Sequence, residues 1–202
     1  MLKRLDLEDA VHALSDGQLV VFPTETSYGL GCKAFDAEAV DRLVRAKGRP
    51  DGKPLPILVP SLEYFRARCF ETPLYGLAEE FWPGALTIVV PAFPGLPEPV
   101  TAGTNMVGVR LSAHQIARAL VERLGEPIVG TSANLSGQPS PCSLEQCDAT
   151  GLEGVAGVLD GGVTAGAGST VVGLVGGELK LFREGPVSEA ALRMAWSRIR
   201  QP

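Results

Sequence analysis

The residues best suited to chemistry in this sequence are cations set at predicted helix and strand ends. Lys47, Arg49 and Lys53 occur within seven positions, a density that is costly unless an anion neutralises it. Arg110 stands in an apolar strand, where it needs either an internal carboxylate or a ligand carboxylate or phosphate as its partner. Arg183 comes at the end of a later strand. These cations predict a pocket for a small anionic ligand.

Hydroxyl groups concentrate in three glycine-containing segments that accompany predicted strands. Residues 23–31 read PTETSYGLG, residues 131–137 read TSANLSG with Ser140 close behind, and residues 166–172 read GAGSTVV with Ser169 at the centre. Hydroxyls and glycine amides are donors that suit carboxylates and phosphates. The alternatives are a polar strand-to-helix loop for the first segment and a helix N-cap at Ser132 or Asn134 for the second.

Cations and hydroxyls together fit a nucleoside triphosphate, although no common nucleotide or hydrolase motif is present. The sequence lacks GxxxxGK[ST], GxGxxG, HExxH and GxSxG. An enzyme built on this chain therefore needs neither a covalent nucleophile nor zinc.

Composition narrows the class of protein. The chain has 202 residues, a net charge of −5, four cysteines without CxxC spacing and two histidines. Acidity argues against phosphate-mediated binding of long nucleic acid, and the cysteine and histidine pattern argues against a zinc site and against disulfides. Since no segment approaches ~20 continuous apolar residues, we expect a cytoplasmic protein that does not enter membranes.

The elements that must position these residues alternate along the chain. The patterns predict helices over residues 6–15, 36–47, 62–69, 74–81, 114–124, 143–149 and from Ser188 onward, and strands over 19–22, 55–59, 86–90, 107–111, 127–130, 155–159, 170–175 and 179–182. This alternation predicts an α/β fold with parallel or mixed pairing in one domain, residues 1–202. Lys47 continues the apolar stripe of the second helix, so it should emerge beside the core. Trp82 and Phe81 are predicted to fill core space.

Seven motifs in order resemble the YrdC family, also called TsaC. They are PTETSYGLG, KGRP with KPL, FWPGALT, VGVR, TSANLSG.PS, GSTVV and FREG, and they run from about Val20 to Pro186. The resemblance implies a twisted mixed sheet with flanking helices and a concave basic face. It also implies a nucleotidyltransferase that makes threonylcarbamoyl-AMP and pyrophosphate from L-threonine, bicarbonate or CO2, and ATP. The product would pass to the transferase that modifies adenosine next to the tRNA anticodon. Because the sequence stops at Pro202, it resembles the short, single-domain form.

The resemblance implies ligand contacts at the positions of this sequence that match the family motifs. The implied threonine contacts are Thr24, Thr26, Arg110 and Ser169. The implied ATP contacts are Lys47, Arg49, Lys53, Ser132, Asn134, Ser140 and Arg183. Lys47 and Arg49 are the residues expected to act in catalysis. Mg2+ is expected with ATP, with no assignable protein ligand.

Five positions depart from the family pattern. They are Leu58 in place of a histidine, Met106 in place of threonine or serine, Ser112 in place of proline, Gly130 in place of a hydroxyl or small residue, and Gly173 in place of aspartate. These changes leave the cations in place, but affect the expected affinity and leave an altered substrate open.

Two other functions use the same residues. A double-stranded RNA-binding or ribosome-maturation factor would place the basic face on the RNA backbone, and its binding would weaken steeply with salt. A regulatory nucleotide or amino-acid sensor would bind ATP without turnover.

Overall fold

Strands and helices alternate along the chain in the computed structural model, which describes residues 1–48, 52–69 and 72–200. The strands within those ranges are β1 (Arg4–Leu5), β2 (Leu19–Pro23), β3 (Tyr28–Gly31), β4 (Ile57–Leu58), β5 (Leu86–Pro91), β6 (Met106–Arg110), β7 (Ile128–Val129), β8 (Thr131–Ser132), β9 (Val155–Leu159), β10 (Thr170–Val175) and β11 (Glu178–Arg183). The helices there are α1 (Leu7–Ser15), α2 (Ala37–Lys47), α3 (Leu62–Arg68), α4 (Tyr75–Phe81), α5 (Glu98–Thr101), α6 (Gln115–Leu124), α7 (Leu144–Asp148) and α8 (Glu189–Ile199).

The strands form two mixed sheets. One has the order β1-β9-β2-β3-β8 and the other the order β11-β10-β5-β6-β4-β7. In the first sheet, β2 pairs parallel to β9 and antiparallel to β3; in the second, β5 pairs parallel to β10 and antiparallel to β6. The last two strands, β10 and β11, form an antiparallel hairpin. The predicted α/β class with mixed pairing is confirmed.

Helix ends follow the capping residues. The carboxylate of Asp36 accepts a hydrogen bond from the Ala39 N–H at the start of α2. Gly48 ends that helix at φ 54° and Gly125 ends α6 at φ 74°, the left-handed conformation that glycine adopts without steric cost. The last helix begins after Ser188, as predicted.

Two of the hydroxyl-rich segments contain strands that the patterns did not predict. Residues 28–31 form β3 and residues 131–132 form β8. The cause is close packing of β3 against β2: an added Cβ on Gly29 would lie 3.1 Å from the Phe22 ring, and on Gly31 2.7 Å. Glycine has low strand propensity, so local pattern favours a loop where tertiary contact imposes a strand. The short elements β1 and α5 were also not predicted.

The core comprises two apolar clusters. One surrounds Phe65 and Trp82, whose rings meet edge to face at 4.8 Å, and the indole N–H donates to the Leu86 carbonyl at 2.7 Å. The other joins α1 and α6 to β2. Trp82 is buried and Phe81 is partly buried, which confirms their prediction as core residues.

The cysteines are free, and burial raises the pKa of the Cys32, Cys69 and Cys147 thiols to about 12. Within the described ranges, no group of three or more histidine, cysteine or acidic side chains could hold a metal ion. In the same ranges, no helix is long and apolar enough to span a membrane.

Alanine substitutions at two glycines compare a steric clash with the backbone and a steric clash with a side chain. A Cβ on Gly31 would lie 2.5 Å from the Val129 carbonyl oxygen, whereas a Cβ on Gly130 would meet the Leu58 side chain at 2.8 Å. A side chain can rotate away and a paired strand carbonyl cannot. We expect Gly31→Ala to lower the free energy of unfolding by about 2–3 kcal/mol and Gly130→Ala by about 1 kcal/mol. Urea unfolding followed by tryptophan fluorescence measures both, and equal losses would contradict this packing.

Candidate functional site

The loop between β2 and β3 carries two buried threonines whose hydroxyls are joined in series. Thr24 Oγ1 donates to the Ser27 carbonyl at 2.6 Å, and Thr24 Oγ1 and Thr26 Oγ1 lie 2.8 Å apart. Because the single Thr24 proton is directed to Ser27, Thr26 must be the donor between the two hydroxyls. The Thr26 hydroxyl is therefore fixed in orientation.

Arg110, at the end of β6, reaches this loop from the other sheet. Its side chain is buried; Nη1 donates to Thr26 Oγ1 at 3.1 Å and Nε donates to the Gly84 carbonyl at 3.0 Å. Nη2 lies 2.8 Å from Glu25 Oε1, an ion pair by distance, yet Nη2 makes no hydrogen bond with acceptable angles in the described part of the chain. Of the two partners that the sequence left open for Arg110, the structure shows the internal carboxylate, which is Glu25.

Glu25 was not predicted as a site residue. Its Oε1 also accepts from the Ala113 N–H at 2.9 Å, and its Oε2 accepts from the Ser112 hydroxyl. Burial raises the pKa of the Glu25 carboxyl, but Arg110, the Ala113 N–H and the Ser112 hydroxyl together outweigh it, so the net shift is downward. The signal in the sequence was the need of Arg110 for a carboxylate, and Glu25 lies in the polar loop already singled out.

The depressed pKa of Glu25 predicts an acid-dependent contribution to stability. A carboxyl with a lower pKa in the folded state stabilises that state above its ordinary pKa of 4.5 and loses this contribution as pH falls through the folded value. We therefore expect Glu25→Gln to lower the free energy of unfolding at pH 7, with the difference from wild type shrinking below about pH 4.5. Urea unfolding at a series of pH values measures this. A difference that is constant down to pH 3 would contradict the assignment.

A second cluster lies around the buried Ser169, just before β10. Ser169 Oγ is 2.7 Å from Thr87 Oγ1 and accepts from Arg183 Nη2 at 3.0 Å, while Arg183 Nε donates to the Ser169 carbonyl at 2.9 Å. Burial, followed by the charge of Arg110, lowers the pKa of Arg183. The pairing of Ile88 with Val109 sets Thr87 beside the end of β6 that carries Arg110. The structure therefore brings the predicted contacts Ser169 and Arg183 toward Arg110, and adds Thr87, which sequence reasoning missed.

Lys47 lies on the buried face of α2, as its place on the apolar stripe predicted. Its side chain is 2% exposed, and its ammonium donates to the carbonyls of Ser132 and, at 2.7 Å, Asn134. The Asn134 amide donates to the carbonyls of Leu135 at 2.7 Å and Gln138 at 2.8 Å. These bonds lock the amide, and Asn134 Oδ1 is left buried without a donor in the described residues.

The cluster around Thr26 and the cluster around Lys47 are linked through one strand. Ser132 of β8 pairs with Gly29 of β3, the strand that follows the threonine loop. The long loop before β10 closes on the same loop, since the Gly166 N–H donates to the Thr26 carbonyl at 2.6 Å.

The remaining predicted residues are less tightly placed. Ser140 is half-buried next to Pro141, whose carbonyl accepts from the Tyr28 N–H at 2.9 Å. Lys53 is exposed, and Arg49 lies outside the described residues. A separate cleft of about 510 Å³ between the end of α2, Leu135 and residues 151–154 contains none of the predicted site residues.

The family match described next covers nearly the same part of the chain as the motifs. Residues 12–185 match the Sua5/YciO/YrdC family model, which carries the description "Telomere recombination". The chain belongs to the Sua5/YciO/YrdC family. It is 42% identical over 175 residues to the threonylcarbamoyl-AMP synthase of Pyrococcus abyssi, covering 85% of this chain and 52% of the relative. It is 39% identical over 188 residues to the Bacillus subtilis enzyme of the same name, covering 91% and 54%. The chain thus spans about half the length of these curated relatives.

Solved structures of the Sua5/YciO/YrdC family share the fold. The crystal structure of P. abyssi Sua5 complexed with L-threonine aligns with a TM-score of 0.87 and 38% identity, over 96% of this chain and 58% of that one. The resemblance drawn from the motifs is confirmed at the level of family and fold.

The departures from the family pattern have local structural reasons. Leu58 and Gly130 fit each other, because a Cβ on Gly130 would lie 2.8 Å from Leu58 Cγ. Gly173 sits between two neighbouring strands, where a Cβ would meet Val89 and Phe182 at 3.0 Å.

Serine at position 112 provides a hydroxyl that donates to Glu25, a contact that proline could not make. Met106 is half-buried at the start of β6, and nothing in the structure explains its presence there.

Proposed function

We propose that this protein is a threonylcarbamoyl-AMP synthase, a nucleotidyltransferase that converts L-threonine, bicarbonate or CO2, and ATP to threonylcarbamoyl-AMP and pyrophosphate. The observation that carries the proposal is a pair of unsatisfied atoms. In the described part of the chain, the buried side-chain polar atoms without a hydrogen-bond partner are Arg110 Nη2 and Asn134 Oδ1. Buried polar groups are normally paired. An Asn134 oxygen without a donor, and an Arg110 nitrogen whose contact with the Glu25 carboxylate lacks hydrogen-bond geometry, therefore support bonds that substrates would complete.

The two atoms have opposite character, which fits the proposed substrates. Arg110 Nη2 is a donor and suits the threonine carboxylate, with Ser169 as a further proposed contact. Thr24 and Thr26 donate their protons within the loop, so their oxygens would accept from the threonine hydroxyl. Asn134 Oδ1 is an acceptor in a locked amide, so it suits a hydroxyl or amino group of the nucleoside and not a phosphate oxygen. The names of the relatives and the Sua5 complex with L-threonine support the same substrates.

The reaction follows from these assignments. The neutral threonine amine adds to CO2, and the positively charged nitrogen of the adduct releases one proton to water, which leaves a carbamate. A carbamate oxygen attacks the α-phosphorus of ATP, the bond from that phosphorus to the bridging oxygen breaks, and pyrophosphate departs with the bonding electrons. Such chemistry depends on position and on charge neutralisation more than on an acid–base residue.

Cations supply that neutralisation in the proposal. Lys47 and Arg49 would act on the charge that develops on the leaving pyrophosphate. The further ATP contacts proposed are Lys53, Ser132, Asn134, Ser140 and Arg183. Mg2+ would accompany ATP, and the proposal assigns it no protein ligand.

The cellular setting is part of the same proposal. The protein would work in the cytoplasm, and its product would pass to the transferase machinery that forms threonylcarbamoyladenosine in tRNA. Direct contact with RNA is not needed for the synthesis itself.

Release of pyrophosphate tests the function. Purified protein is incubated with ATP, Mg2+ and bicarbonate, and each amino acid is added in turn; the expected result is release that requires threonine. A matched reaction with threoninol, which lacks the carboxylate, should show no release. If pyrophosphate release does not depend on threonine, the synthase proposal is wrong. In that case, binding of duplex RNA that weakens steeply with salt would favour the RNA-binding alternative.

A further inference from the structure

Arg110 is held by two separate segments of the chain, the turn at Gly84 and the loop that carries Glu25 and Thr26. The turn at Gly84, the hydroxyl of Thr26 and the carboxylate of Glu25 each contact a different nitrogen of its guanidinium, at 3.0, 3.1 and 2.8 Å. Contacts at three different nitrogens restrict the position and the orientation of this group. Of the three, the Glu25 contact is the one that carries charge.

Glu25 is itself fixed by the segment that follows Arg110. The Ser112 hydroxyl donates to its Oε2, and the Ala113 N–H donates to its Oε1 at 2.9 Å. Ser112 Oγ in turn accepts from the His114 N–H at 3.2 Å. Since the single Ser112 proton is directed to Glu25 and its oxygen is occupied by His114, the hydroxyl has a defined direction.

We infer that Glu25, held by Ser112 and Ala113, is a positioning residue that aims the Arg110 guanidinium at the carboxylate of the amino-acid substrate. The inference rests on the proposed function and adds two residues that were not assigned to the site. Glu25 is not a catalytic residue in this account, because it acts through Arg110. Nη2 is the atom that the Glu25 carboxylate contacts and places.

A simpler role for Glu25, compensation of the Arg110 charge, predicts the opposite change in threonine affinity when Glu25 is removed. If the carboxylate only compensated the charge of Arg110, its removal would leave a stronger positive site and would tighten binding of the threonine carboxylate. If it positions Arg110, its removal weakens threonine binding, because a misplaced contact loses the geometry of the substrate complex.

Kinetics of three variants test the inference. Glu25→Gln should raise the KM for threonine by about tenfold or more while the KM for ATP changes by less than about threefold. Ser112→Ala should shift the threonine KM in the same direction by a smaller factor, and Ser112→Thr, which keeps the hydroxyl, should restore most of the loss. Glu122→Gln is the matched control, since Glu122 pairs with Arg118 at 3.6 Å on the exposed face of α6.

Equilibrium dialysis with labelled L-threonine separates this inference from the proposed function. If wild-type protein binds threonine without turnover, the synthase proposal fails, and weaker binding by Glu25→Gln still supports the positioning role. Equal changes in both KM values, or tighter threonine binding by Glu25→Gln, would overturn it. Should Glu25→Gln fail to fold, the contrast between Ser112→Ala and Ser112→Thr decides.

Discussion

Lys47→Met is expected to lower threonine-dependent pyrophosphate release by about 100-fold or more. The ammonium is 2% exposed and is held by the carbonyls of Ser132 and Asn134, so it is a fixed charge in a site from which water is largely excluded. A charge in that setting stabilises a developing anion without reorganising, and a neutral side chain of similar shape cannot replace it.

Stability has to be measured beside activity for this substitution. Methionine leaves the carbonyls of Ser132 and Asn134 without the Lys47 donor, which costs about 1–3 kcal/mol for an unsatisfied buried group. Thermal unfolding followed by circular dichroism therefore identifies a temperature at which the variant is folded, and the activity assay is run at that temperature. Arg45→Met is the control, because Arg45 is an exposed cation two positions earlier on α2. Near-normal turnover by folded Lys47→Met would show that the triphosphate binds elsewhere.

The placement of Lys47 illustrates what the sequence determines locally. Apolar residues at helical spacing and a glycine at the end of α2 were enough to predict both the helix and the burial of its last residue. The same kind of periodicity placed Arg110 in a strand whose alternate residues are apolar. Such predictions succeed because they depend on contacts a few residues apart.

The parts that were missed depend on contacts distant in sequence. Glu25 meets Arg110 across 85 positions, and a local pattern cannot say which carboxylate pairs with a buried arginine. The strand β3 forms because glycines let it pack under Phe22, although isolated glycine disfavours a strand. That residues 1–202 act as one domain stays a prediction, as do the individual ligand contacts.

Arg110→Gln is expected to affect stability and threonine binding together, and a second substitution should separate them. Removing the guanidinium leaves Glu25, whose side chain is 21% exposed, without its ionic partner. Breaking a buried ion pair on one side is strongly destabilising, and partial exposure reduces the cost, so we expect a loss of about 2–3 kcal/mol in the free energy of unfolding at pH 7. Threonine-dependent turnover should fall by about 100-fold or more.

The double variant Glu25→Gln/Arg110→Gln removes the stranded charge as well. Its two neutral amides can accept from the Ser112 hydroxyl and donate to the Gly84 carbonyl, the groups that the ion pair now contacts. Most of the lost stability should return, while threonine binding stays as weak as in Arg110→Gln. Urea unfolding and equilibrium dialysis measure the two properties on the same samples. Recovery of threonine binding together with stability would mean that Arg110 serves the fold alone, since a substrate contact cannot return without the group that makes it.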